Sequence, residues 1–146
     1  MKFRNIAILS FVAVMFVFYT QANAVDVTPY YKIAEDYNSN IISARRTWLG
    51  KEICIEGVVS TILVTKAGNS TLENHVAVWL SENTRAINKV RYIFSFDGIP
   101  DEVMELQKGQ KIKISGIVDS IEPSRIILRI NIRRAKLEDI GEGSEY

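Results

Sequence analysis

One ten-residue pattern occurs twice in the chain, and it constrains the fold more than any other feature. Residues 50–59 read GKEICIEGVV, and residues 109–118 read GQKIKISGIV. Alternating β-branched residues predict a half-buried strand, and an interior glycine in such a strand marks a sharp bend with no room for a side chain. Two strands of this kind, each begun by a turn glycine, indicate the corners of a small closed barrel. Its expected structural glycines are Gly50, Gly57, Gly109 and Gly116.

The first 24 residues have the composition of a secretory signal peptide. A basic start with Lys2 and Arg4 is followed by an apolar run at 6–19 and by small residues that end at Ala24. This order is typical of a cleavable leader, and the run is shorter than the roughly 20 residues of a membrane-spanning helix. We therefore expect cleavage after Ala24, a periplasmic or secreted protein, and no stable membrane insertion of the mature chain. An uncleaved anchor is the alternative.

The mature chain has the length of one domain with one core. Two of the 18 basic residues lie in the leader, so 16 remain against 17 acidic ones, without the strong basic excess of a dedicated nucleic-acid-binding protein. The single cysteine, Cys54, excludes an internal disulfide and is expected to be a small buried side chain. A domain at 25–136 is predicted to be followed by a flexible acidic tail at 137–146.

Hydrophobic periodicity divides this domain into helices and strands. One amphipathic helix is predicted to begin at Thr28 and Pro29 and to end near Thr47. Five strands follow, with a short helix at 99–107 between the third and the fourth, which is the order of a mainly β, five-stranded oligonucleotide/oligosaccharide-binding (OB) barrel. The strands are predicted at 51–65, 75–80, 89–96, 110–121 and from 126 to about 133. The buried helical face should comprise Tyr30, Ile33, Ala34, Tyr37, Ile41, Ala44 and Trp48, and the inward side of the fifth strand Ile126, Leu128, Ile130 and Ile132.

A set of spacings around the two copies resembles a known family. Tyr37, Asn40, Ala44 and Trp48 precede Gly50-Lys51 and the first strand, and Leu106-x-x-Gly109 precedes the fourth. These spacings resemble the bacterial tRNA_anti-like OB domains over about residues 30–134, with Trp48 where tyrosine is more common. The matching positions are turn glycines and core aliphatics. The resemblance therefore implies the OB fold and, since most such proteins are exported without a characterised ligand, it implies no particular activity.

Catalytic and metal-binding patterns are not evident in the sequence. His75 is the single histidine, there is no cysteine pair, and no glycine-rich loop with phosphate-binding spacing precedes a helix. We therefore expect no metal, no cofactor and no enzymatic activity.

A binding face is the remaining possibility, because OB domains commonly bind ligands across the second and third strands. The candidate residues are Trp79, Arg91, Tyr92, Arg129 and Arg133, since aromatics interleaved with arginines can stack on bases and contact phosphates, sugars or an anionic protein. The competing interpretation places Tyr92 in the core and the arginines on a solvated face. We favour non-catalytic binding of an envelope protein or a small polar ligand. The alternatives are single-stranded nucleic acid or oligosaccharide on the face of strands two and three, and a structural or inhibitory role in an envelope complex.

Overall fold

A computed structural model describes residues 25–65, 75–82 and 90–141 of the chain. The predicted leader at 1–24 lies outside these residues, so it stays a prediction. The described elements, in chain order, are α1 (Lys32–Ser39), α2 (Ile41–Trp48), β1 (Glu52–Thr65), β2 (His75–Ser81), β3 (Val90–Asp97), α3 (Asp101–Met104), β4 (Lys111–Pro123) and β5 (Leu128–Ile140).

The five strands close into a single barrel in the order β1-β2-β3-β5-β4. β3 and β5 are parallel, and every other neighbouring pair is antiparallel. A short helix, α3, separates β3 from β4 in the chain. The predicted five-stranded OB barrel is therefore confirmed.

The two copies of the repeated pattern lie side by side as β1 and β4. Ile53 is opposite Gly116, and Gly57 is opposite Ile112, so each interior glycine faces the first isoleucine of the other copy. A Cβ atom at Gly57 would lie 3.0 Å from a carbonyl oxygen of β2, and one at Gly116 would lie 2.5 Å from Cγ2 of Ile132. The interior glycines therefore allow β2 and β5 to approach closely, and the lack of room for a side chain is as predicted.

The two turn glycines have the same reciprocal arrangement. Gly50 and Gly109 have positive φ angles of 77° and 92°, which glycine adopts at little cost. The amide of Gly50 donates to the carbonyl oxygen of Val118 at 2.9 Å, and the amide of Gly109 donates to that of Val59 at 2.8 Å. Each turn is thus hydrogen-bonded to the end of the other copy.

The barrel interior is filled by aliphatic and aromatic side chains of all five strands. Along β2 and β3 every second residue is buried, as the alternation predicts. Burial of each large side chain contributes about 1.5–3 kcal/mol, so this interior is the main source of stability. Its fully buried members include Ile53, Ile55, Val59, Val76, Val78, Leu80, Tyr92, Phe94, Ile112, Ile114, Ile130 and Ile132, and the helices add Ile33, Ala34, Tyr37, Ala44 and Trp48 to the core.

The single helix predicted from Thr28 to Thr47 is wrong, because the helical segment is interrupted at Asn40. This residue is extended, with φ −159° and ψ 105°, and its side chain accepts a hydrogen bond from the amide of Ser43 at 2.9 Å. Asn40 therefore caps a second helix instead of continuing the first. The interruption changes the orientation of the following turn, so Ile41, predicted to be buried, is 50% exposed.

The chain is extended at Val27 and Thr28 and forms a turn at residues 30–31, where a continuous helix from Thr28 was predicted. Val27 forms a parallel β-bridge with Cys54, and the amide of Thr28 donates to the Cys54 carbonyl oxygen at 2.7 Å. Thr28 thus pairs with β1, and α1 begins only at Lys32. Cys54 is buried, as predicted.

The turn between β4 and β5 and the helix before β4 differ from their predictions. α3 is one turn long, where a helix over 99–107 was expected. Ile126 was predicted to face inward but is 77% exposed. It belongs to a turn that is closed by a hydrogen bond from the Ser124 amide to the Ile127 carbonyl oxygen at 2.9 Å, so β5 begins two residues later.

β5 continues as far as Ile140 and includes the start of the predicted tail. Leu137 is opposite Ile114 and packs against the core, and Asp139 is opposite Lys113. The domain boundary expected at 136 therefore lies inside a strand. Residues 142–146 of the predicted tail lie outside the described residues.

Candidate binding face

Three neighbouring strands present one continuous outer surface. Since the buried residues of β2, β3 and β5 alternate, the residues between them point away from the core. The resulting tryptophan–arginine face consists of Trp79, Arg91, Ile93, Arg129 and Asn131. Register pairs Trp79 with Ile93 and Ile93 with Asn131, so one row of side chains crosses all three strands.

Trp79 is the aromatic centre of this face. Its ring is half-exposed, and the guanidinium carbon of Arg91 lies 4.7 Å from the ring centroid. A cation at this distance over an indole is attracted by about 0.5–1 kcal/mol at an exposed site. The contact orders both side chains before any ligand binds.

Arg129 lies beside Arg91 and adds a second positive charge. The two residues are paired in the parallel register of β3 and β5. Among the described residues neither has a carboxylate within 4.0 Å, whereas Arg133 contacts Asp119 at 3.4 Å. Glu122 is opposite Arg129 in the β4–β5 register, but its carboxylate forms no ion pair within 4.0 Å of the guanidinium. Two adjacent guanidinium groups that are not in an ion pair favour an anionic ligand.

A hydrogen-bonded group borders the arginines on the β4 side. The side-chain amide of Asn131 donates to Ser120 Oγ at 2.7 Å and to Glu122 Oε1 at 3.2 Å. Ser120 Oγ also donates to Glu122 Oε1 at 2.8 Å. These hydrogen bonds fix the position of the Glu122 carboxylate. They place donors and acceptors with defined directions at this edge, which were not predicted from the sequence.

The predicted site residues separate into three groups. Trp79, Arg91 and Arg129 lie together on one outer surface. Arg133 is exposed but lies four residues further along β5, in its ion pair with Asp119, so it is apart from the other two arginines.

The third group is Tyr92 alone, and its assignment to the binding face is wrong. Tyr92 is fully buried because it shares the inward side of β3 with Phe94. Its hydroxyl donates to the carbonyl oxygen of Tyr30 at 2.6 Å. The hydroxyl of Tyr30 in turn lies 3.0 Å from the carbonyl oxygen of Leu80 and 3.2 Å from that of Val90, and its one proton can be donated to either. Tyr92 therefore fastens the N-terminal segment to one end of the barrel.

Burial controls the protonation of the tyrosine and cysteine side chains here. It raises the pKa of Tyr30 and of Tyr92 well above the ordinary value, and it also raises the pKa of Cys54. Both phenols and the thiol are thus neutral near neutral pH. Within the described ranges, no three His, Cys, Asp or Glu side chains group in a way that could hold a metal ion.

A groove lies between α1 and the β4–β5 turn, near the end of the barrel that Tyr30 contacts. Its volume is about 260 Å³, and its lining is mainly apolar with Arg125 at one side. The lining includes Tyr37, Asn38, Val90 and Ile126. The sequence did not reveal this groove, because Ile126 was predicted to lie inside the barrel.

None of the described helices has the length and apolar character that crossing a membrane requires.

Comparisons with known proteins agree with the barrel. The family model described as tRNA_anti-like matches residues 1–132. Among solved structures, the "putative nucleic acid-binding lipoprotein" of Klebsiella pneumoniae subsp. pneumoniae is similar, with 20% identity and a TM-score of 0.60 over 79% of this chain and 92% of that one. At this identity the likeness shows a shared fold. A search of curated proteins gives no match.

Proposed function

Because the chain belongs to the tRNA_anti-like family, we propose that it is a non-catalytic OB-fold binding domain whose ligand lies across the tryptophan–arginine face. The observation that carries the proposal is the outward Trp79 ring with Arg91 over it and Arg129 beside Arg91. A flat ring and two adjacent cations are suited to a ligand that has both rings and anionic groups. An OB barrel presents ligands on this side of its sheet.

Single-stranded nucleic acid is the ligand class that this geometry favours. A base can stack on Trp79, and the arginines can contact the phosphates on either side of it. The name of the Klebsiella pneumoniae lipoprotein, which describes nucleic-acid binding, supports the same choice. Since the face has only two arginines without an acidic partner among the described residues, we expect a short binding site.

Export is part of the proposal. The basic, apolar and small-residue order of residues 1–24 supports a cleavable leader. The description of the similar structure as a lipoprotein also supports a protein that leaves the cytoplasm. The domain would then act in the periplasm or outside the cell.

A small polar ligand or an envelope protein is the second candidate. Asn131, Ser120 and Glu122 place fixed donors and acceptors next to Arg129, and such an edge can recognise a polar group of defined shape. This candidate predicts binding that depends on Asn131 as strongly as on Trp79.

The test is fluorescence anisotropy of a labelled single-stranded oligonucleotide titrated with mature protein. We expect Trp79→Ala to weaken binding by about 5-fold to 100-fold, since stacking contributes about 1–3 kcal/mol per base. Arg91→Gln and Arg129→Gln should each reduce the slope of log K against log salt by about 0.7. Arg133→Gln is the matched control, because its guanidinium is already paired with Asp119.

The alternatives give different results in the same design. Absent or salt-independent oligonucleotide binding would exclude the nucleic-acid ligand. A protein or polar small molecule captured from the envelope by the wild type, and lost with Asn131→Ala or Arg129→Glu, would establish the second candidate. Unchanged binding in the Trp79→Ala and Arg129→Glu variants would exclude the face itself.

A further inference from the structure

α2 exposes apolar side chains next to arginines. Ala44 and Trp48 are its buried residues. Ile42 is 67% exposed and Ile41 is 50% exposed, and Arg45 and Arg46 are exposed as well. Aliphatic side chains exposed to this degree on one short helix indicate a surface that contacts something else.

The exposed isoleucines and arginines share one side of the helix. At 3.6 residues per turn, Ile41, Arg45, Ile42 and Arg46 fall within a sector of about 140°. Ile41 neighbours Arg45, and Ile42 neighbours Arg46, at four-residue spacing. Apolar and cationic groups are therefore interleaved within this sector.

The β4–β5 turn approaches the helical segment on which this sector lies. Arg45 Nη2 donates to the Ile121 carbonyl oxygen at 3.4 Å, which sets α2 against the end of β4. Ile126 in the turn lines one groove together with Asn38, which lies just before α2. Ile126 is the most exposed large apolar side chain of the described residues, and its neighbour Arg125 is also exposed.

We propose that this isoleucine–arginine surface, formed by Ile41, Ile42, Arg45, Arg46, Arg125 and Ile126, rests on an anionic lipid bilayer. The guanidinium groups would contact lipid phosphates, and the isoleucines would enter the boundary between headgroups and acyl chains. A helix that lies in the membrane plane also combines apolar and basic side chains, on opposite faces. On α2 they share one sector, because the side with Ala44 and Trp48 is buried in the core.

Charge and side-chain type favour lipid over other partners. α2 has no acidic residue, and Glu122, which precedes the turn, is held by Ser120 and Asn131 on the outer side of the barrel. Isoleucine has no flat ring on which a base can stack, which disfavours nucleic acid. A lipid interface places phosphates beside hydrocarbon, as this surface places arginines beside isoleucines.

Vesicle co-sedimentation of the mature protein tests the proposal. We expect binding to vesicles of phosphatidylcholine mixed with phosphatidylglycerol and little binding to phosphatidylcholine alone. Arg45→Gln and Arg46→Gln should each lower the partition coefficient about fivefold. Ile42→Ser with Ile126→Ser should lower it about tenfold or more. Leu63→Ser, at an exposed position on β1, and Arg133→Gln are controls that should leave partitioning unchanged.

Three results would overturn the inference. One is failure of the wild type to sediment with anionic vesicles. Another is equal partitioning of the isoleucine variants, the arginine variants and the wild type. The third is self-association in sedimentation velocity that Ile42→Ser abolishes, which would make the surface a contact between copies of the chain. Since the substituted side chains are exposed, thermal melts should show all variants folded, with a small loss of stability in Arg45→Gln, which removes the hydrogen bond to the Ile121 carbonyl oxygen.

Discussion

Gly116 has no room for a methyl group. An added Cβ would lie 2.5 Å from Ile132 Cγ2 and 3.0 Å from the Arg133 carbonyl oxygen. Because Ile132 is buried and Arg133 contributes backbone, β5 would have to move. We expect Gly116→Ala to lower the free energy of unfolding by about 2–4 kcal/mol, measured by urea denaturation.

Gly57 and Gly50 provide graded controls. A Cβ at Gly57 would be 3.0 Å from the Ser81 carbonyl oxygen and 3.2 Å from Leu80 Cβ, so the loss should be smaller than at Gly116. At Gly50 an added Cβ would have no atom within 4 Å. Alanine there would therefore incur only the cost of a positive φ, about 1–2 kcal/mol. Equal losses at Gly116 and Gly57 would contradict this ranking.

A second prediction concerns Tyr92, whose hydroxyl donates to the Tyr30 carbonyl oxygen at one end of the barrel. Tyr92→Phe should lower the free energy of unfolding by about 1–2 kcal/mol near neutral pH. Burial raises the pKa of the native phenol above the ordinary value of 10.0, which the unfolded chain retains. The neutral hydroxyl therefore stabilises the fold fully below about pH 10, and this contribution is lost as pH rises further.

Thermal melts of wild type and Tyr92→Phe from about pH 8 to about pH 11 measure this effect. The wild type should lose more stability than the variant over this range, so the difference between them narrows. Parallel curves would show that ionisation of Tyr92 does not contribute. Tyr30, whose pKa burial also raises, remains in both proteins and so cancels in the comparison.

At the scale of elements, the cap at Asn40 determines that the helical segment is two helices. Asn40→Ala removes the acceptor for the Ser43 amide and should lower the free energy of unfolding by about 1 kcal/mol. Asn40→Asp keeps an acceptor and adds a charge that the start of α2 favours, so it should match or exceed the wild type. Chemical denaturation of the three proteins is the measurement. A loss in Asn40→Asp as large as in Asn40→Ala would mean that the cap is not the reason for the effect.

The strands could be predicted from the sequence, but the division of the helix could not. The alternation of apolar and polar residues predicted the bounds of β2 and β3 to within one residue, because each strand has one buried side. Tyr37, Ile41, Ala44 and Trp48 also fit a single helical period, so periodicity could not reveal the extended residue between them. The competing preference was the side-chain cap of Asn40, which is a local hydrogen bond and leaves no periodic signal.

The candidate site shows the same difference between local and long-range information. Successive side chains of a strand point to opposite faces, so Arg91 and Tyr92 cannot lie on the same face of β3. One of these two consecutive candidates therefore had to be wrong. The alternation alone does not show which of the two residues faces outward. The burial of Tyr92 beside Phe94 shows that Arg91 is the outward one. The pairing of Arg91 with Arg129 depends on the parallel contact of β3 and β5, which no local pattern contains.

On the scale of the whole molecule, closure of the barrel depends on β5, which pairs with β3 at its start and with β4 along its length. Its first residues carry Arg129 and Asn131 of the tryptophan–arginine face. Its last residues cover the beginning of β4, where Ile112 and Ile114 are buried. The binding face and the closure of the barrel are therefore properties of the same strand.

Truncation distinguishes this arrangement from a flexible tail that begins at 137. A chain that stops after Lys136 loses Leu137, which packs against the core, and the pairing of Asp139 and Ile140 with β4. Loss of one large apolar contact and several strand hydrogen bonds should cost about 3 kcal/mol or more in urea denaturation. A chain that stops after Gly141 keeps the hydrogen bond from the Gly141 amide to the Lys111 carbonyl oxygen and should stay within about 0.5 kcal/mol of the full chain. If both truncated chains were as stable as the full chain, the last residues of β5 would not contribute to closure of the barrel.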